Sequence, residues 1–263
     1  MTEFVSDTCA IAGRDLRHLL RLPEKLIGFT VMPLAMVLGL GILFGGSMRV
    51  PGGGEYGAYV SAGVVTSMAV SMTALSALGV VGDLQDGMFD RLRSLPVSRL
   101  AVLCGRVAVD SILVVVAMVS VASAAGIVGW PVGARPHAVL AGMGLEMLLG
   151  MGCSCLGIFL GLTFRNAEAV ISVVPVCLLP VTFLSNAFVP PDGLPGWLRD
   201  VVGWNPVTAV TSTVRGLLST SDAASTAGFF GHPAPFALAF CLVLIALAAP
   251  AATRAYDRAG AAR

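Results

Sequence analysis

The side chains able to do chemistry are three histidines, six cysteines, a single lysine and a small set of carboxylates, and their spacing withholds most of it. Lys25 follows Pro-Glu, whereas a P-loop needs G-x-x-x-x-G-K-[ST] so that backbone amides and the lysine hold the phosphates. The chain therefore has no Walker A site, and any ATP must be bound by another polypeptide. His18, His137 and His232 are isolated, and no HExxH, Ser-His-Asp set or carboxylate cluster is present. Cys104, Cys153, Cys155, Cys177 and Cys241 lie in or beside apolar runs, Cys9 lies in a polar segment, and no C-x-x-C occurs. Cys153 and Cys155 point to different sides of any helix, so the cysteines read as small packing residues and not as a metal site. That leaves Asp110 and Glu146, two carboxylates set in strongly apolar surroundings.

The elements that must position these residues are membrane-spanning helices. Of 263 residues 56% are hydrophobic and 12% charged, against about 25% charged in a soluble domain. A bilayer core about 30 Å thick takes about 20 apolar residues of helix, with every peptide group satisfied inside the segment. Six stretches qualify: 26–44, 60–81, 111–130 with a start reaching back towards Leu100, 138–164, 169–189 and 236–253. Pro175 and Pro180 predict a kink in the fifth. The fold class expected is an all-α membrane protein with six spans. It divides into a cytoplasmic segment 1–25, a transmembrane domain 26–253 and a cytoplasmic tail 254–263. A preceding polar segment of 25 residues makes the first apolar run a retained anchor, not a signal peptide.

Basic residues are retained on the cytoplasmic side. With the N-terminus inside, the inner pieces hold Arg14, Arg17, Arg21, Lys25, Arg91, Arg93, Arg99, Arg106, Arg165, Arg254, Arg258 and Arg263, leaving only Arg49, Arg135, Arg199 and Arg215 outside. Both termini are thus expected in the cytoplasm, and the net charge of +1 gives no reason to expect nucleic acid. Leu16, Leu19, Leu20 and Leu22 among Arg14, Arg17, His18 and Arg21 describe a basic amphipathic helix lying at the inner headgroups, with a solvated tail as the alternative.

Glu146 falls roughly 12 Å below the outer end of the fourth span. A charge at a span centre costs about 2.5–3.5 kcal/mol on translocon scales, so two readings stay open: Glu146 lines the substrate route, or it pairs with an outer arginine such as Arg199 or Arg215. Asp110, four residues after Arg106, reads as an i, i+4 partner in preference to a proton relay. Gly142, Gly144, Gly150, Gly152, Gly157 and Gly161 mark the fourth span for close helix packing, and secondarily for dimer contact.

Two connections carry a pattern. Between spans two and three runs VGDLQDGMFDRLRSLPVSR, 81–99, with Leu84, Met88, Leu92 and Leu95 at helical spacing, charges between them and Pro96 as a stop. A short amphipathic helix bearing both charges suits a groove on a cytosolic partner, and an ordinary interfacial loop helix is the alternative. After span five runs FLSNAFVPPDGLPGWLRDVVGWNPVTAVTSTVRGLL, 183–218. Pro195 can open a short helix ended by Gly203, and Asn205 can cap a second one with Pro206 at its first position. With Trp197 and Trp204 at headgroup depth, the pair can dip back into the bilayer as a lid.

The first of these connections resembles the coupling segment of ABC-2-type permeases, particularly their daunorubicin-resistance-like branch. The second is similar to that family's outer-face signature of F-x-P, L-P-x-W-L, N-P-[VL]-T and R-G-L-L. The resemblance implies an ATPase-docking role for Asp86, Gly87, Phe89, Arg91, Leu92, Leu95 and Pro96. It implies a re-entrant outer segment containing Phe188, Pro190, Leu194, Pro195, Trp197, Leu198, Asn205, Pro206, Val207, Thr208, Arg215, Gly216, Leu217 and Leu218. It further implies a permease subunit in a bacterial inner membrane, with no cofactor of its own. It would pair with a second permease, identical or related, and with two ATPase subunits carrying ATP and Mg. The expected cargo is a hydrophobic or amphipathic drug, antibiotic or lipid moved outward, with polysaccharide as the alternative. A proton-driven transporter using Asp110 and Glu146 is the rival from another class. A lipid-modifying membrane enzyme would need an interfacial polar cluster, which is not found.

Overall fold

The structure is a computed structural model and describes residues 2–21, 23–48, 50, 55–87, 98–128, 130, 135–191, 194–218 and 233–261. Among them there is no β-strand. The helices are α1 (Thr2–Arg21), α2 (Pro23–Phe44), α3 (Tyr56–Gln85), α4 (Arg99–Val128), α5 (Pro136–Phe164), α6 (Ala167–Phe183), α7 (Gly196–Trp204), α8 (Pro206–Leu218) and α9 (Pro233–Ala261). Five of these, α2, α3, α4, α5 and α9, are long and apolar enough to cross a membrane. The apolar helix α6 has 17 residues, short of the expected 169–189 span.

Local chemistry explains the boundaries. α3 ends at Asp86 because Gly87 takes φ +67°, a left-handed conformation that an unsubstituted Cα adopts without strain. Pro136 opens α5 at a position whose N–H needs no partner, and Arg165, at φ 54°, closes it by donating its N–H to the Gly161 carbonyl. Asn166 then caps α6, its side chain accepting the Glu168 N–H at 2.9 Å. α6 stops at Phe183 because the chain beyond it bonds elsewhere: the carbonyls of Asn186, Ala187 and Phe188 are all taken by side chains of α3 and α8. Pro195 caps α7, which runs through Gly203 to Trp204, one residue past the expected stop.

The centre of the fold is the pair α3 and α5, which run parallel, with α9 against the far side of α5 and α4 against both. Gly157 and Gly161 make the pair close. A Cβ at 157 would strike the Thr73 carbonyl oxygen, and one at 161 the Ala77 carbonyl oxygen at 2.5 Å. Val60, Val64, Met72, Val114, Leu149 and Val210 fill the core around this contact. α1 lies along α4, burying Ile11 against Gly105 together with Leu19, while Leu20 faces outward at 62% exposure. Elsewhere the exterior is apolar, with Ile42, Leu43, Ile127, Leu140, Val176 and Leu247 all exposed. In water such surface would drive association; in a bilayer it is the ordinary outer wall of a spanning helix.

Candidate functional site

Three polar constructions are buried in this apolar bundle. The first, at the end of the bundle where α3 and α5 begin, fastens the segment after α6. Arg215, on α8, donates from Nε to the Tyr59 carbonyl at 2.9 Å and from Nη2 to the carbonyls of Asn186 and Ala187, both at 2.8 Å. Its guanidinium lies 3.5 Å from the centre of the Tyr59 ring. Tyr56 and Tyr59 donate their hydroxyls to the carbonyls of Phe188 (2.8 Å) and Asn186 (3.0 Å). Asn186 donates from its amide side chain to Ser212 at 2.7 Å and from its backbone to Thr208 at 3.1 Å. Asn205 caps α8 through the Val207 N–H and donates to the carbonyls of Val181 and Leu184, so a single side chain starts one helix and closes another. Gly63 completes the fit, since any Cβ there would enter the Ala187 carbonyl.

Asn205, Pro206, Arg215 and Phe188 of the outer motif thus converge on one junction. Pro190 is buried beside it and Leu194 is half-buried. Pro195 and Trp197 stand on the exposed side of α7, with Trp197 70% exposed. Tyr56, Tyr59, Asn186 and Ser212 escaped the sequence reading of the site, because their partners lie on helices far away in the chain, whereas Thr208 belongs to the motif.

At the opposite end of the bundle, Arg106 of α4 forms an ion pair with Asp83 of α3. Spacing offers Arg106 the i, i+4 residue Asp110; the carboxylate of this ion pair is Asp83, from across the helix interface. Asp110 accepts hydrogen bonds from Ser76 of α3 and from Ser154 of α5, the latter at 2.5 Å, tying three helices together. Interhelical hydrogen bonds in membrane proteins contribute ~0.6–2 kcal/mol each. Asp110→Ala is therefore expected to lower the thermal midpoint of the detergent-solubilised protein by several degrees, at about 2–4 °C per kcal/mol. Asp110→Asn, which keeps an acceptor, should recover at least half of the loss. An unchanged midpoint in the alanine variant would show that the cluster does not hold the helices.

Asp86 and Gly87 end α3 beside the Asp83–Arg106 pair. Phe89, Arg91, Leu92, Leu95 and Pro96 of the expected docking segment lie outside the described residues.

The third construction surrounds Glu146, which is 1% exposed in the first half of α5. Its Oε1 accepts from Thr66 Oγ1 at 2.6 Å, and its Oε2 has no hydrogen-bond partner among the described residues. Arg215 is not its counter-ion, as was one expectation: the arginine is consumed by carbonyls near Tyr59, seven residues or roughly 10 Å of helix away from Thr66. Among the described residues no group of three or more His, Cys, Asp or Glu side chains is placed to hold a metal ion.

A profile of the ABC-2 type transporter family matches residues 6–218, from within α1 to the last residue of α8. The chain belongs to the ABC-2 type transporter family. Curated relatives of this ABC-2 protein include the "Daunorubicin resistance ABC transporter permease protein DrrB1" of Streptomyces coeruleorubidus. That relative is 29% identical over 254 residues, covering 96% of this chain and 86% of its own length. "Putative transport permease ycf38" of Porphyra purpurea is 22% identical over 228 residues, 84% of this chain and 76% of that one. The protein of the same name from Cyanophora paradoxa is 25% identical over 222 residues, 83% and 76%. The ABC-2 protein is thus a multi-pass membrane protein and an ABC transporter permease, similar over nearly its whole length to a drug-resistance permease.

Proposed function

We propose that this permease is the membrane subunit of an ATP-driven exporter, moving hydrophobic or amphipathic molecules out of a bacterial cell with energy supplied by two separate ATPase subunits. In this reading α6 completes six spans, both termini are cytoplasmic, and α7 and α8 form an outer lid. The observation that carries it is the family match across residues 6–218, which includes both the segment after Gly87 and the outer junction built on Asn205 and Arg215. The basic residues grouped on one side of the spans support the orientation. The name of the Streptomyces relative supports a drug or antibiotic as cargo.

The geometry suggests how force enters. The segment 88–97 connects α3 to α4, whose inner ends are joined by Asp83 and Arg106, so a push on the segment moves both helices as a unit. Asp110, one turn further from the inner end, hands that motion to α5 through Ser154. The outer junction then has to part for cargo to leave.

The test is co-expression of the permease with its ATPase subunit. Asp86→Ala together with Leu92→Ala is expected to cut co-purification of the ATPase at least tenfold while leaving the permease folded in detergent. ATP-dependent transport should fall with it. Full-rate transport by the purified permease alone, driven by a proton gradient, would replace this reading with a secondary transporter.

A further inference from the structure

We infer that Glu146 is the point at which this permease recognises a positively charged nitrogen on its cargo, so that its substrates include amphipathic amines. The inference rests on the permease reading above and adds a substrate class to it.

Glu146 is enclosed yet chemically incomplete. The single hydroxyl hydrogen of Thr66 has two acceptors in reach, Glu146 Oε1 at 2.6 Å and the Ala62 carbonyl at 2.9 Å, so even Oε1 shares its donor. Oε2 has none. Ionised, the acid lacks a donor there; protonated on Oε1, it leaves Oε2 a bare acceptor; protonated on Oε2, it offers a hydrogen with no acceptor. No protonation state completes the site from within. The Asp83–Arg106 ion pair near the bundle's inner end does not include it, and Arg215 is spent on carbonyls. Cys153 and Cys241, the buried thiols near it, carry no positive charge in any protonation state. An acid kept inside a bilayer with no cation beside it among the described residues selects for a visiting one. A divalent metal would require more donors than are gathered here. An ammonium is matched in charge by a single carboxylate, with Glu146 Oε2 and the Thr66 hydroxyl as its first acceptors.

The packing also says from which side the visitor reaches it. Gly142 lies one turn outward from Glu146 on the same face of α5. A Cβ there would sit 3.9 Å from Val214 Cγ1 and 4.0 Å from Leu217 Cδ1, an ordinary van der Waals contact with α8. Inward of Glu146, Gly157 and Gly161 seat α5 directly on the backbone of α3, leaving no such freedom. Parting α8 from α5 therefore opens Glu146 towards the outer side while the inner half of the pair stays closed. That movement uses the helix which Arg215 fastens, so the acid lies beneath the lid.

Dansylcadaverine, a fluorescent amphipathic primary amine, and its N-acetylated neutral derivative provide the test, in proteoliposomes containing the permease with its ATPase. Wild type is expected to move the amine in an ATP-dependent manner. Glu146→Gln should raise the apparent KM for the amine at least tenfold and leave the acetylated probe unchanged or improved, whereas Glu146→Asp should restore much of the discrimination. Equal loss on both probes, no change on either, or a wild type that ignores the amine would each overturn the inference. Co-purification of the ATPase with wild type and with Glu146→Gln reads the permease assignment separately. An ATPase that assembles with both, alongside unchanged amine transport, leaves that assignment standing and removes only the role of Glu146.

Discussion

Arg215→Ala is expected to release the segment 184–191 from the bundle and to reduce transport by at least a hundredfold. The alanine removes the charged donor shared by three carbonyl oxygens, those of Tyr59, Asn186 and Ala187, and leaves the Asn186 carbonyl with the Tyr59 hydroxyl alone. Hydrogen bonds from a charged group contribute about 1.5–3 kcal/mol each, and breaking a buried charged contact by removing one partner costs about 3–5 kcal/mol. Three bonds from one side chain are not additive, so the second range is the one to use. At about 1.4 kcal/mol per factor of ten, even its lower end shifts the ratio of fastened to released segment more than a hundredfold. Hydrogen exchange on residues 184–191 measures this directly. Arg215→Lys should give an intermediate result, because an ammonium cannot meet carbonyls from two segments and lie flat on the Tyr59 ring at once. Unchanged exchange protection in the alanine variant would mean that Asn205, Tyr56 and Tyr59 fasten the segment without it.

The largest effect on assembly of the fold is expected from Gly157→Leu. The first added carbon already meets the Thr73 carbonyl oxygen and, at 3.0 Å, the Cβ of Ser76. Backbone cannot rotate away as a flexible side chain can, so α5 must retreat from α3 along its length. Overpacking inside a close-fitting core costs typically about 1–3 kcal/mol, and a leucine adds several carbons at this one point. The retreat also pulls Ser154 from Asp110 and Glu146 from Thr66, which compounds the loss. Size-exclusion of the solubilised protein should show little or no monodisperse permease. Gly144→Leu is the matched control: it lies on the same helix with nothing within 4 Å of an added Cβ, and its stability should stay within about 0.5 kcal/mol of wild type. Equal behaviour of the two variants would refute the claim that glycine at 157 is there for contact.

Much of this protein is legible in its amino-acid sequence. Apolar length alone locates the helices that cross the bilayer, because lipid leaves a backbone few other ways to satisfy its peptide groups. The cap chemistry of Asn205-Pro206 is equally local, and α8 begins where those residues say it should. The family resemblance carried by two loop motifs is also readable, and the match over residues 6–218 bears it out.

What spacing does not settle is partner choice. Asp110 has an arginine four residues away, yet it takes hydrogen bonds from Ser76 and Ser154 on two other helices. Arg215 looks available to Glu146 because the sequence places both towards the same end of the bundle. It lies instead over Tyr59, where the end of α6 presents carbonyls that no helix uses. The same capture shortens α6 to 17 residues, although the apolar run continues to Val189. Composition and periodicity determined that the chain must live in lipid as a set of helices, since those depend on each residue and its near neighbours. Which polar group meets which was decided by tertiary structure alone. Between helices, a hydrogen bond depends on rotation and depth differing by a few ångströms, and neither is written in the spacing of any single segment.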